Sequence, residues 1–241
     1  MLYAAVGGSD LQASSLGNVR WHQLKASSTR EDEPMSSKRS IGVLLFEGFE
    51  LLDVFGPLEM YGMAADHFDI RLVSEHGGVI ASRQGPKSIV DCSFCDAQEF
   101  DLLLVPGGSG TRHEVGNQLL LDWLKDQSQR ATLVTSVCTG SALLAKAGVL
   151  DGLRATTNKM AFDWVTSQSS LVQWEKQARW VEDGKFFSSS GVSAGIDMSL
   201  AVIAQVVSPE LADQVAMFAE YEWHRDPSWD PFAKLHGLVD D

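Results

Sequence analysis

From residue 41 onward, short runs of β-branched and apolar residues alternate with stretches whose apolar positions recur at helical spacing. A helix must carry the chain back between neighbouring parallel strands, so this alternation predicts a mostly parallel sheet covered by helices on both faces. Strands are expected over 41–46, 68–74, 101–105 and 132–137, and helices over 57–65, 117–129, 140–147 and 194–207. Pro57 suits the first turn of its helix, where a missing N–H costs nothing. Two antiparallel pairs are expected over 79–90 and 178–189, the second turning at Glu182-Asp-Gly-Lys, where Asp-Gly supplies the turn chemistry. A further helix over 210–221 precedes an aromatic, Pro-containing end with Trp223, Trp229 and Phe232, read as cover for a core edge or a dimer seam.

The pattern stops before residue 41. Residues 1–40 are rich in Ser, Gly and charge, without periodicity, and are expected to be a disordered tail; 41–225 form one α/β domain and 226–241 a C-terminal tail. Between Leu11 and Arg30 there is no acid, and Arg20, Lys25 and Arg30 give this stretch a faint likeness to an organelle transit peptide, against which Asp10 and Glu31-Asp-Glu stand.

Composition narrows the classes further. Hydrophobic residues make up 44% of the 241 positions, enough for a sizeable core. The net charge of −13 and the lack of a basic stripe argue against nucleic-acid binding. No apolar run is long enough to span a bilayer, so no membrane partner is expected. Three cysteines, Cys92, Cys95 and Cys138, are too few and odd in number for a disulfide framework, which points to the cytoplasm.

One segment carries the chemistry. In Leu133-Val-Thr-Ser-Val-Cys-Thr-Gly-Ser-Ala-Leu-Leu an apolar strand runs into Cys138 and then into a small-residue helix, the layout of a nucleophile elbow. Such a turn lifts the side chain to the carboxyl edge of the sheet, Gly140 permits close strand–helix approach, and the helix N-terminus is expected to lower the thiol pKa. The plain alternative is a buried cysteine acting as a small hydrophobe. Asp53, in Glu50-Leu-Leu-Asp-Val-Phe-Gly-Pro, would reach the same edge; it is either a turn residue or an acid sharing a proton with Cys138. Val105-Pro-Gly-Gly-Ser-Gly could offer the Gly107 and Gly108 amides to an oxyanion. Asp197, early in an apolar helix, reads by itself as complementing the helix dipole. Cys92 and Cys95 have redox-motif spacing but no strand-to-helix turn, and are read as packing residues; the six histidines show no metal-ligand spacing.

Together these segments, with Ala147-Gly-Val-Leu-Asp-Gly-Leu-Arg-Ala-Thr-Thr and Ser193-Ala-Gly-Ile-Asp-Met, resemble the ThiJ/PfpI superfamily of class I glutamine-amidotransferase-like folds over residues 40–225, and within it the isocyanide hydratases. The resemblance implies a single three-layer α/β/α domain of flavodoxin-like type, a homodimer, no cofactor, and a small-molecule substrate. It implies that Cys138 is the nucleophile, Asp53 its acidic partner, Thr139 a polar contact and Asp197 a second acid supporting the site. Thr139 stands where PfpI-type peptidases carry His, which argues against proteolysis, and Asn158-Lys159 stand where hydratases of this type carry His and Trp. The rival readings are glyoxalase or deglycase chemistry, which needs a His partner not evident here, and a redox- or ligand-sensing domain. AraC-type regulators carry this domain ahead of a DNA-binding one, but only about 25 residues follow the last expected helix, too few for a two-motif helix-turn-helix domain.

Overall fold

A computed structural model of the protein describes residues 38–96 and 98–240. The tail and import readings fall on 1–40 and lie almost wholly outside the described residues. Along the chain, β1 (Arg39–Leu44) leads through a tight loop into α1 (Leu51–Met63) and β2 (Phe68–Ser74). A small antiparallel pair follows, β3 (Val79–Ala81) and β4 (Lys87–Ile89), then β5 (Cys92–Ser93) and β6 (Leu102–Val105). Next come α2 (Thr111–Glu114), α3 (Gln118–Arg130), β7 (Leu133–Val137) and α4 (Gly140–Lys146). The last third contains β8 (Arg154–Ala155), α5 (Phe162–Thr166), β9 (Gln173–Trp174), the hairpin β10 (Trp180–Asp183) and β11 (Phe186–Ser189), and helices α6 (Ala194–Val206), α7 (Pro209–Phe218) and α8 (Pro231–Leu235).

Seven strands form one sheet in the order β10-β11-β7-β6-β1-β2-β5. All neighbours in it pair in parallel except the β10–β11 hairpin. The central strands β6 and β7 are buried along their whole length, as expected where helices cover both faces. One helical layer joins α1, α6 and α7; the other packs α2, α3 and α5 around α4. Local chemistry sets several boundaries. The Asn117 side chain caps α3 at Leu120 N, and Ser208 caps α7 at Leu211 N with Pro209 in the first turn.

The expected strands and both hairpins are present, with ends shifted by one or two residues. Pro57 is the clear departure, since it lies in the middle of α1 rather than in its first turn. The helix starts at Leu51 because that N–H is capped by Gln84 Oε1 at 3.2 Å and Glu50 N is held by Gly107 O at 2.8 Å. Gly56 and Pro57 face α6, where a Cβ at Gly56 would come within 2.8 Å of Ile196 Cγ1. The close helix crossing therefore fixes the height of the preceding turn, which carries Asp53.

The largely exposed segment after α7 is anchored to the domain at a few points. Pro227 O accepts from Arg179 N at 2.8 Å, and α8 is capped by the buried Asp230 through Phe232 N at 3.0 Å. Trp223 is half-buried and donates its ring N–H to Asp197 O at 3.2 Å, whereas Trp229 and Phe232 are about half exposed. No described helix is long and apolar enough to cross a membrane.

Candidate active site

Cys138 is the single residue between β7 and the cap of α4, and it adopts φ +57°. That left-handed conformation is uncommon for a residue with a side chain and must be held by its surroundings. Four hydrogen bonds do so. Cys138 N donates to Ser189 O and Ser190 O at 3.2 and 3.1 Å, and Cys138 O accepts from Thr157 Oγ1 at 2.9 Å and Ser141 Oγ at 3.1 Å. The side chain is buried at 6% exposure, facing polar groups drawn from four separate segments of the chain.

Asp53 is fully buried in the first turn of α1, beside the thiol. Its Oδ2 accepts from Gly107 N at 2.9 Å, and Oδ1 has no hydrogen-bond partner among the described residues. The loop after β1 and the loop after β6 are zipped together, with Gly110 N donating to Gly48 O at 3.1 Å, and this brings Asp53 and Gly107 to one place. Gly108, at φ +125°, donates its N–H to Thr139 Oγ1 at 3.1 Å. Thr139 Oγ1 also lies 3.1 Å from Thr111 Oγ1, which donates to Gly108 O at 2.7 Å.

This corrects one expectation. The Gly107 and Gly108 amides are engaged by Asp53 and Thr139, so neither is free to receive an oxyanion; they hold the acid and the residue after the cysteine in place.

The groups that face the sulfur are the backbone N–H groups of Thr139 and Val192 and the side chain of Asn158. Of these, Thr139 at the helix start is expected from the sequence and Asn158 stands out there only as a departure from the hydratase pattern, whereas Val192 was not foreseen. Val192, a β-branched residue at φ +51°, is the second strained position, and its N–H also faces Asp53. Asn158 Oδ1 accepts from Ala161 N at 3.0 Å, which turns its NH₂ toward Cys138. Next to it, Lys159 is buried at 3% exposure with Nζ donating to Ala178 O and Thr156 Oγ1 at 2.6 and 2.7 Å. Burial pushes that ammonium down to about 8, opposed by the charge of Asp230.

Asp197 belongs to a neighbouring cluster. Its Oδ2 lies 2.5 Å from Arg179 Nη2 and 2.7 Å from Arg179 Nε, and its Oδ1 accepts from Tyr221 Oη and His224 N at 3.0 and 2.9 Å. Arg179 O in turn accepts from Ser190 N at 2.8 Å, and Ser190 O is one of the two carbonyls that hold Cys138 N. Asp197 thus reaches the cysteine through a chain of bonds, not by direct contact.

The electrostatics differ from a cysteine activated by a helix end alone. Loss of solvent raises the Asp53 carboxyl to about 7, against the pull of the Gly107 N–H. Burial, and secondarily the charge of Asp53, push the Cys138 thiol up, while the three donors around the sulfur pull it down. The expected depression by the helix dipole is therefore outweighed by desolvation. Two buried groups that each resist charge, and repel each other when both are charged, retain at least one proton between them near neutrality. The carboxylate has the Gly107 and Val192 N–H groups and the sulfur has the Thr139 and Val192 N–H groups and the Asn158 amide, so either can carry the anion of the shared-proton state, and the arrangement with thiolate on sulfur and proton on carboxyl is the reactive one.

Cys92 is half-buried on the edge strand β5 and Cys95 is exposed; all three cysteines are free thiols. Among the described residues no group of three or more His, Cys, Asp or Glu is placed to hold a metal ion.

Known proteins place this geometry in a family. The chain is 33% identical over 181 residues to an isonitrile hydratase of Pseudomonas putida, a match covering 75% of this chain and 78% of that protein. It is 32% identical over 178 residues to the HTH-type transcriptional regulator CdhR of Pseudomonas aeruginosa, covering 72% of this chain and 52% of the regulator. Its fold superposes on a ThiJ/PfpI family protein from Pseudomonas syringae with a TM-score of 0.74 at 26% identity, covering 85% of each chain. The DJ-1/PfpI family pattern itself matches residues 39–205, from the first strand through most of α6, and the chain belongs to that family.

Proposed function

We propose that this chain is a cysteine-dependent hydratase of small electrophiles, converting an isocyanide to the N-substituted formamide. The observation that carries the reading is the buried pair of Cys138 and Asp53, with an unpartnered carboxyl oxygen on one side and three N–H donors around the sulfur on the other. The likeness to an isonitrile hydratase over three quarters of the chain supports it.

In this reading the Cys138 thiolate forms a C–S bond to the terminal carbon of the isocyanide, and the same carbon takes the proton held by Asp53, giving a thioimidate. Water then adds to that carbon, its oxygen bonding the carbon while one of its protons passes through the Asp53 carboxylate to the nitrogen; the remaining hydroxyl proton goes to Asp53 as the adduct collapses, which restores the protonated carboxyl. Collapse of the tetrahedral adduct breaks the C–S bond, releases the formamide and returns the thiolate. The N–H groups of Thr139 and Val192 and the Asn158 amide stabilise the sulfur anion at both ends of the cycle. Gly107 and Gly108 act as positioning residues for Asp53 and Thr139, and Asp197 supports the site through Arg179 and Ser190.

The sulfur faces an amide rather than an imidazole, which counts against carbonyl chemistry that depends on a His partner. The proposal includes a homodimer, because Leu52 and Phe55 flank Asp53 in α1 and remain 40% and 42% exposed. The test is turnover of p-nitrophenyl isocyanide to its formamide by wild type and Cys138→Ala. Cys138-dependent product supports the reading; no product from a folded wild-type protein overturns it.

A further inference from the structure

We propose that Arg112, laid on Trp164 beside the nucleophile, forms an anion subsite, and that the substrates of this site carry a carboxylate a few bonds from the reacting carbon. The substrate class rests on the hydratase reading, whereas the subsite itself does not.

The placement of Arg112 follows from its neighbours. Thr111, fully buried at the start of α2, is tied to Thr139 Oγ1 at 3.1 Å and to Gly108 O at 2.7 Å. Arg112 Nη1 donates to that same Thr111 Oγ1 at 3.3 Å, so the guanidinium is two hydrogen bonds from the residue that follows Cys138. Its carbon lies 3.7 Å from the centroid of the Trp164 ring. Trp164 sits in α5, just after the loop that carries Asn158 to the sulfur. Two elements thus approach the cysteine, one bringing a cation and the other the aromatic surface that holds it flat.

The cation has been left without a counter-ion. Of the eight described arginines six pair with a carboxylate; Arg112 and Arg39, at the start of β1, do not, in a chain of 32 acids and net charge −13. Apart from the bond to Thr111, none of its N–H donors has a partner among the described residues. Stacking occupies a face of the guanidinium and leaves the in-plane edge, which is the edge that takes a carboxylate by two parallel hydrogen bonds. The sulfur and the guanidinium are close enough for the charge of Cys138 to oppose the lowering of Arg112 by burial. A substrate bearing an anion would therefore meet Arg112 while its electrophilic carbon meets Cys138.

The experiment compares wild type, Arg112→Gln and Arg112→Lys on isocyanoacetate and on its methyl ester. Wild type is expected to favour the carboxylate, and the acid-to-ester ratio of kcat/KM is expected to fall about ten-fold or more in R112Q, with R112K recovering part of it. A ratio that R112Q leaves unchanged overturns the subsite. Second-order alkylation of Cys138 by iodoacetate and by iodoacetamide gives a second ratio that does not depend on turnover. If wild type hydrates neither isocyanide, the hydratase reading fails and the alkylation ratio decides alone. A fall of about ten-fold in R112Q upholds the anion subsite, and an unchanged ratio removes it.

Discussion

Gly107 N and Asp53 Oδ2 meet at 2.9 Å, and this one bond joins the loop after β6 to the first turn of α1 directly beside the Cys138 thiol. A Cβ at position 107 would lie 2.6 Å from Thr139 N and 2.8 Å from Asp53 Oδ2, closer than real Cβ atoms approach. Gly107→Ala must therefore displace the carboxyl, the Thr139 amide, or both. Misplacement of a reacting group by about an ångström costs roughly 100-fold in rate, so kcat/KM is expected to fall by about that factor with the fold intact by circular dichroism. Full activity in a folded variant would show that Asp53 needs no such fixing.

Asp53 also sets a dependence on pH. Its carboxyl titrates near 7 in the folded protein and near 4 when unfolded, so between these values the unfolded chain has ionised while the native one has not. Stability therefore falls as pH rises through that window, by at most about 4 kcal/mol at roughly 1.4 kcal/mol per pKa unit, and the loss is complete above about 7. Asp53→Asn has no such titration. Its melting temperature is expected to exceed that of wild type by more at pH 8 than at pH 5, and an equal difference at both would contradict the raised carboxyl. In the proposed mechanism turnover uses the carboxyl proton, so it is expected to decline above pH about 7 in wild type.

Asn158 offers a separate probe of the sulfur. Replacing it by Leu removes one of the three donors and leaves Thr139 N and Val192 N. Loss of a hydrogen bond to a charged group is worth about 1.5–3 kcal/mol, so iodoacetamide alkylation of Cys138 at pH 7 is expected to slow about ten-fold or more. The pH profile of alkylation should move upward. An unmoved profile would mean that the amide does not act on the thiolate.

The Asp197–Arg179 pair predicts a stability effect. Both side chains are buried, and Arg179→Ala would leave Asp197 with Tyr221 Oη and His224 N but no positive partner. Removing one member of a buried ion pair costs about 3–5 kcal/mol, measurable by urea unfolding. A change below about 1 kcal/mol would assign the pair the weight of a surface contact.

Much of this was legible in the chain. Buried parallel strands are written as apolar runs, so 102–105 and 133–137 stood out, and the strand running into Cys138 and then small residues announced the turn. Pro57 misled because proline marks the start of a helix more often than its middle; the start at Leu51 depends on Gln84, more than thirty residues away. Two of the donors to the sulfur were hidden for a related reason. Val192 and Asn158 arrive from distant loops, and nothing in the sequence marks a valine for φ +51°. The direction of the thiol shift was missed because the sequence shows which helix follows the cysteine but not how fully its surroundings exclude water.

The most direct test of the account is the covalent state of Cys138 during turnover. Wild type mixed with excess isocyanide and quenched in acid should carry, on the peptide containing Cys138, an adduct equal in mass to one whole isocyanide; Cys138→Ala should carry none and form no formamide. Formamide produced at the wild-type rate by Cys138→Ala, or an adduct confined to Cys92 or Cys95, would contradict the assignment of Cys138 as the nucleophile.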